Sequence, residues 1–237
     1  MESPALAVST VIFSLRTDAS GRRRLALPLV RRIRDPYEGV WALPGAPLEA
    51  DEDLAESAAR SLASTTGLTP RYLEQLYAFG QVDRSPDRVV SIVYWALVAT
   101  DEAARAIESD NVRWFFAEDV PALAFDHNII VDYALWRLRS KLEYSRLALG
   151  FLGETFTLTQ LREVYEAVLE KQLDPGNFRR MVEAANIVEP TGERLSGTRH
   201  RPPQLYRVNR TRELTDPDPL TRRQQHSPYV IPLGAAS

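Results

Sequence analysis

Between Leu43 and Leu68 the chain reads LPGAPLEADEDLAESAARSLASTTGL. One carboxylate, Glu52, stands eight residues before Arg60, and the hydroxyl residues Ser61, Ser64 and Thr65 follow. On a helix these last three positions are spaced i, i+3, i+4 and share one face. Three carboxylates at that spacing would build an anionic oxygen cluster suited to Mg²⁺ bound to a diphosphate. Two Ser and one Thr offer only neutral, weak ligands, and Mg²⁺ gives up its waters reluctantly. Without the metal, neither an attacking water nor the charge on a leaving phosphate is stabilised. Glu49, Asp51 and Glu56 lie close by as substitutes. Glu56 is placed to serve a helix cap, however, and Glu52 to pair with Arg60 across the loop–helix join. The segment then reads as a solvated acidic loop with a structural ion pair.

A second concentration of chemistry lies near the other end. From Arg194 to Arg212 there are six Arg (194, 199, 201, 207, 210 and 212) and His200, with no Asp or Glu. Such a run suits DNA phosphates or a minor groove. Upstream, Asn177, Arg179, Arg180 and Glu183 fall off the apolar stripe of a helix, where Arg can read guanine and Asn adenine in a major groove. The DNA-contacting set is therefore Asn177, Arg179, Arg180, Arg194, Arg199, His200 and Arg201. The plainer role is a solvated basic loop with surface ion pairs. A third set, Tyr37, Trp41, Arg84, Arg88, Asp126 and His127, offers polar and aromatic groups for lining a pocket. Each also has a structural alternative: Trp41 as core, His127 as a helix cap, Arg84 and Arg88 as charge on a turn.

The elements that position these residues are legible from local pattern. Residues 5–15 and 25–33 are β-rich runs around a polar turn, and further strands are expected at 73–79 and 88–98. Asp53 with Glu56 forms a capping box for a helix whose apolar face is Leu54, Ala58 and Leu62 and whose stop is Gly67. Residues 121–147 read as helical, with Ile129, Ile130, Tyr133, Ala134, Trp136 and Leu138 too densely apolar for an open surface. Thr157-x-x-Gln160 opens a helix carrying Leu161, Val164, Tyr165, Val168 and Leu169. Asp174-Pro175 opens another, with Asp as cap and Pro where its missing N–H costs nothing; its expected buried stripe is Phe178, Met181, Val182 and Ala185. A short strand at 187–189, a Gly-, Arg- and Pro-rich loop over 191–203 and a strand at 204–208 complete a winged helix-turn-helix order.

Composition excludes several classes. In 237 residues, 44% are apolar and 26% charged, enough to bury a core and too apolar for wholesale disorder. There is no Cys, so disulfides, thiolate metal sites and a Cys nucleophile are excluded. The N-terminus lacks a basic n-region, and the apolar run from Ala5 to Leu15 is shorter than the ~20 residues of a membrane span. A cytoplasmic protein with no membrane partner is expected. The net charge of −3 hides an asymmetry: 17 basic against 21 acidic residues up to residue 150, and 12 against 11 after it.

Aligned on Ala46, Glu52, Arg60, Leu62, Gly67 and Leu68, the first segment resembles the Nudix box, G-x5-E-x7-R-E-U-x-E-E-x-G-U with U aliphatic. Ser61, Ser64 and Thr65 occupy the positions of three of its carboxylates, so the box is degenerate. The stretches Phe79–Arg88 and Phe125–His127 resemble Nudix proteins of the ADP-ribose pyrophosphatase group. DPGNFRR (174–180) and EPTGERLSGTRHRP (189–202) resemble the C-terminal domain of the Nudix-related transcriptional regulators, bacterial repressors of NAD-biosynthesis or pentose-utilisation genes. The resemblance implies an α+β protein. A Nudix-like α/β/α sandwich with a mixed sheet would occupy residues 1–148 and a winged helix-turn-helix residues 149–210, with a flexible tail over 211–237. It further implies a homodimer on a palindromic operator in double-stranded DNA, released by ADP-ribose or a related NAD metabolite. It implies no enzymatic activity, no catalytic residue, no resident cofactor and no metal. Two other functions fit the residues: an active diphosphate hydrolase with relocated carboxylates and an accessory nucleic-acid module, and a dead scaffold that binds DNA without small-molecule control.

Overall fold

The computed structural model describes residues 3–106, 109–142, 146–195 and 202–209. Its first strand, β1 (Ala5–Thr17), is the axis of the molecule. It pairs in parallel with β6 (Val89–Leu97) and antiparallel with both β2 (Arg23–Arg31) and β4 (Gly45–Pro47). β3 (Trp41–Ala42) and β7 (Val112–Phe116) add to β2, and β5 (Tyr72–Phe79) adds to β6, giving a seven-stranded mixed sheet.

The strand period of two divides the sheet residues between two cores. Val8 and Ile12 of β1, with Tyr94 and Ala96 of β6, face α1 (Leu54–Thr66) and its Ala58 and Leu62. Val11, Phe13 and Leu15, with Val93, Trp95 and Leu97, face α3 (His127–Leu142). The short α2 (Thr100–Ala103) closes the α1 side with Ala103. Gly45 sits so close to β1 that a Cβ there would approach the Val8 carbonyl oxygen to 2.8 Å, so only glycine fits this pairing.

The sequence from 121 to 147 is less helical than its composition suggests. Helix α3 covers His127–Leu142, residues 121–126 form a loop, and 3₁₀ turns occupy Ala117–Asp119 and Arg146–Phe151. Ile129 and Trp136 were expected inside; both are exposed, because α3 has one side against the sheet and these residues project from the other. The strand β7 lacks an alternating signal of its own and was not anticipated.

Beyond Phe151 the second core cluster continues without a break through Phe156, Leu161, Val164 and Val168 into Phe178, Val182 and Val188. The helices are α4 (Leu158–Leu169) and α5 (Pro175–Ala185), and the hairpin is β8 (Val188–Arg194) with β9 (Gln204–Val208). Phe156 exchanges both backbone hydrogen bonds with Tyr206, at 3.0 and 2.7 Å, seating the hairpin against the start of α4. Two expectations are corrected here. Met181 is exposed, since α5 is anchored by the narrower pair Phe178 and Val182. The strand expected at 187–189 runs on to Arg194, because Thr191 and Gly192 extend the hairpin rather than end it. Arg199, His200, Arg201 and the expected tail over 211–237 lie outside the described residues.

Candidate functional site

Helix α1 begins as its sequence requires. The Asp53 N–H donates to Glu56 Oε2 at 2.8 Å, and Gly67, at φ 70°, ends the helix with its N–H on the Ala63 carbonyl. On that helix Arg60 grips Glu52 with two hydrogen bonds, Nε to Oε2 at 2.9 Å and Nη2 to Oε1 at 2.7 Å. Glu49 approaches the same guanidinium at 3.4 Å, and its N–H donates to Glu52. The Arg60 hydrogen bonds, helped by that backbone N–H, hold the Glu52 pKa down at about 2. Glu49 and Glu52 are thus engaged by Arg60, and Glu56 by the helix cap.

The three hydroxyl residues differ in exposure: Ser61 is buried, while Ser64 is exposed and its Oγ donates to the Ser61 carbonyl at 3.1 Å. Thr65 is half-buried. These residues do not fit a Mg²⁺ ion: the oxygens are neutral, that of Ser61 is buried, and the adjacent acid Glu52 is held by Arg60. Among the described residues no group of three or more His, Asp or Glu is arranged to hold a metal.

Five of the six expected pocket residues gather where the loops 32–43, 80–88 and 121–127 meet. Arg84, with its side chain 4% exposed, makes a bidentate pair with Asp126 at 2.6 and 2.9 Å and donates to Ser91 Oγ at 2.8 Å. It is therefore no loose charge on a turn. His127 is buried at the start of α3, where its Nδ1 accepts the Leu43 N–H at 3.0 Å, so a neutral ring carries its proton on Nε2. Burial, the largest influence, draws its pKa down to about 4, against a smaller opposing effect of Asp126. Tyr37, at φ 67° and 45% exposed, stands edge-on to Phe125 at 4.9 Å, and Phe125 lies 5.5 Å from the His127 ring. Trp41 packs edge-on against Phe115 at 5.1 Å while its carbonyl accepts the Ala124 N–H. Arg88 stays apart: exposed, with its carbonyl accepting the Ala5 N–H.

Two members of this cluster were not in the expected set. Arg32 lies over the Phe125 ring at 4.7 Å with Nε on the Pro36 carbonyl at 2.7 Å, and Arg113 lies 5.8 Å from the Trp41 ring. No local pattern marks either; Arg32 meets Phe125 only because the sheet brings those loops together. The resulting rim combines aromatic faces with guanidinium groups, a surface suited to a base and a phosphate.

The second set sits on α5 and the hairpin. Asp174 caps α5 by accepting the Asn177 N–H at 2.8 Å, with Pro175 next in line. Asn177, Arg179 and Arg180 are all exposed on the side away from Phe178 and Val182. Arg179 is tied to Glu183 at 2.7 Å, which raises the guanidinium pKa, and Arg180 donates to Asn177 Oδ1. Arg194 closes the base of the wing by donating to the Pro202 carbonyl at 2.8 Å, and Arg207 pairs with Glu189 at 2.7 Å.

Against known proteins, residues 6–133 match the NUDIX domain and residues 148–208 match the NrtR DNA-binding winged helix domain. The "ADPR responsive transcriptional repressor NtrR" of Acinetobacter baylyi is 34% identical over 212 residues, spanning 86% of this chain and 82% of that protein. The crystal structure of Shewanella oneidensis NrtR superposes with a TM-score of 0.76 at 33% identity, covering 86% of this chain and 94% of that one. The same protein complexed with a 27mer DNA gives 0.75, at 33% identity over 86% and 93% of the two chains. An ADP-ribose pyrophosphatase of Methanocaldococcus jannaschii is 34% identical over 46% of this chain and 66% of its own length.

Proposed function

The chain belongs to the NrtR family, in which a Nudix-like domain precedes a winged helix, and on that premise we propose a DNA-binding transcriptional repressor whose Nudix-like half senses a nucleotide without hydrolysing it. The observation that carries this reading is the state of the box. Its helix keeps both caps and its packing, while Ser61, Ser64 and Thr65 stand in place of metal-binding acids and Arg60 engages Glu52. A scaffold retained without its chemistry serves binding.

In this reading residues 1–148 are the effector unit and residues 149–210 the DNA-binding unit. α5 enters a major groove and the Arg-rich wing follows the phosphates. The protein works in the cytoplasm as a homodimer, its two-fold axis matching that of a palindromic operator near NAD-biosynthesis genes. The effector is ADP-ribose or a related NAD metabolite, the class named for the Acinetobacter relative. With no carboxylate-held metal to offset a diphosphate, guanidinium groups do so, and Arg32 and Arg113 are the cations beside the aromatic rim. Bound effector releases DNA only if it binds the DNA-free conformation more tightly.

Two assays test this. Incubation with ADP-ribose and Mg²⁺ should give no cleavage above buffer, while a thermal-shift titration with ADP-ribose should raise the melting temperature. Cleavage that disappears in Glu52→Gln would overturn the proposal in favour of a hydrolase with relocated ligands.

A further inference from the structure

Helix α5 divides its exposed residues between two sides. On one of them Arg179 is engaged by its own helix, with Nε on Glu183 Oε1 at 2.7 Å. On the other, Asn177, Arg180, Met181 and Ala184 stand at i, i+3, i+4 and i+7, all exposed, and share one stripe. Arg180 donates to Asn177 Oδ1, which holds these two polar side chains against each other. Met181 is 48% exposed. The core does not use its thioether, because Phe178 and Val182 anchor the helix and Phe178 packs edge-on against Tyr165 of α4 at 5.4 Å. A long, flexible apolar side chain therefore stands in water within the stripe, with the short Ala184 one turn further along. In the proposed function this helix enters the major groove.

We propose that Met181 is a specificity-determining residue that reads the 5-methyl group of a thymine, with Ala184 leaving room for the base edge; the proposal rests on the reading of α5 as the helix that meets DNA. In the major groove the groups that tell the base pairs apart are hydrogen-bond donors and acceptors, with the thymine methyl as the apolar one. A thioether has no donor and only a weak acceptor, so the discrimination open to Met181 there is apolar contact with that methyl. Asn177 and Arg180 bring the amide and the guanidinium suited to adenine and guanine. The stripe thus carries three kinds of side chain, matched to three different bases. Since the Met181 contact involves no charge, it sets sequence preference and leaves the salt dependence to the arginines.

Rounds of selection from a random duplex library with the full-length protein yield its preferred site. In that duplex each thymine of one half-site is replaced in turn by uracil, which removes only the methyl group. Affinity is then measured by fluorescence anisotropy at several salt concentrations. One replacement should weaken wild-type binding about fourfold, the worth of one buried methyl, and should leave Met181→Ala unaffected. On the thymine duplex Met181→Ala should bind about fourfold more weakly than the wild type, with an unchanged salt slope and an unchanged affinity for a scrambled duplex. Met181→Leu, of nearly the same volume, should restore binding. A Met181→Ala chain with the wild-type melting transition and wild-type affinity would overturn the role of Met181 and leave the DNA-binding regulator standing. So would a wild type indifferent to uracil at every thymine, a uracil effect equal in both proteins, or a loss of affinity shared by the scrambled duplex. A wild-type chain that selects no sequence and binds every duplex alike would overturn both readings.

Discussion

His127 shows how one side chain can tie the junction of three loops to the stability of the whole molecule. Its Nδ1 accepts the Leu43 N–H, one residue before the box turns through Pro44 and Gly45, while the ring begins α3. Protonation would set a donor against that N–H in a buried site, so the folded chain holds the imidazole neutral down to about pH 4. In the unfolded chain the ordinary value is 6.5, so below it the unfolded state takes up the proton first and is favoured. Stability present above pH 6.5 is therefore lost as the pH falls toward 4, with a span of order 3 kcal/mol at full effect. Urea denaturation at pH 7.5, 6, 5 and 4.5 should show this decline in the wild type and a shallower one in His127→Gln, whose Oε1 can accept the same N–H without titrating. Equal slopes would remove His127 as the cause. Glu52 acts in a separate, lower window: held near 2 against an ordinary 4.5, it contributes stability that fades only as the pH falls below about 4.5.

At the scale of elements, the proposed function puts the nucleic-acid contact on α5 and the wing. Arg180 is exposed on α5 beside Asn177, and Arg194 stands at the base of the wing. Arg180→Ala should weaken operator binding by about 1–3 kcal/mol, while Arg194→Ala should lower the slope of log affinity against log salt by about 1. Fluorescence anisotropy at several salt concentrations measures both, and unchanged affinity and slope in the two variants would put the DNA on another surface. These elements were legible because their signals are local. Thr157 with Gln160, and Asp174 followed by Pro175, announce helix starts within four residues, and the structure has both caps. What was not legible depends on distant neighbours. The apolar density of α3 says that both sides want covering, but not that one of them faces out of the chain at Ile129 and Trp136. Arg32 gives no local sign of its place over Phe125, 93 positions further along the chain, and the Arg84–Asp126 pair spans 42 residues.

Across the whole molecule the two halves share one core cluster, running from Phe13 and Trp95 through Phe151 to Val182. Polar ties reinforce it: Arg23 reaches Glu163 on α4 at 3.3 Å, and Thr100 donates to the Phe151 carbonyl. Helix α3 begins at the aromatic and guanidinium rim and, about 18 Å further on, its Arg139 donates to the Val168 carbonyl at 3.1 Å and pairs with Glu170, which ends α4. A ligand that repositions the start of α3 therefore acts on the helix that supports α5. In the proposed function these contacts join the acidic first half to the basic wing as two parts of one device. The most direct measurement is the anisotropy of a labelled duplex from upstream of the neighbouring genes, titrated with the protein with and without saturating ADP-ribose. The account predicts tight, salt-sensitive binding that ADP-ribose weakens at least tenfold with no ADP-ribose consumed. Affinity unchanged by ADP-ribose that is bound and intact would contradict it.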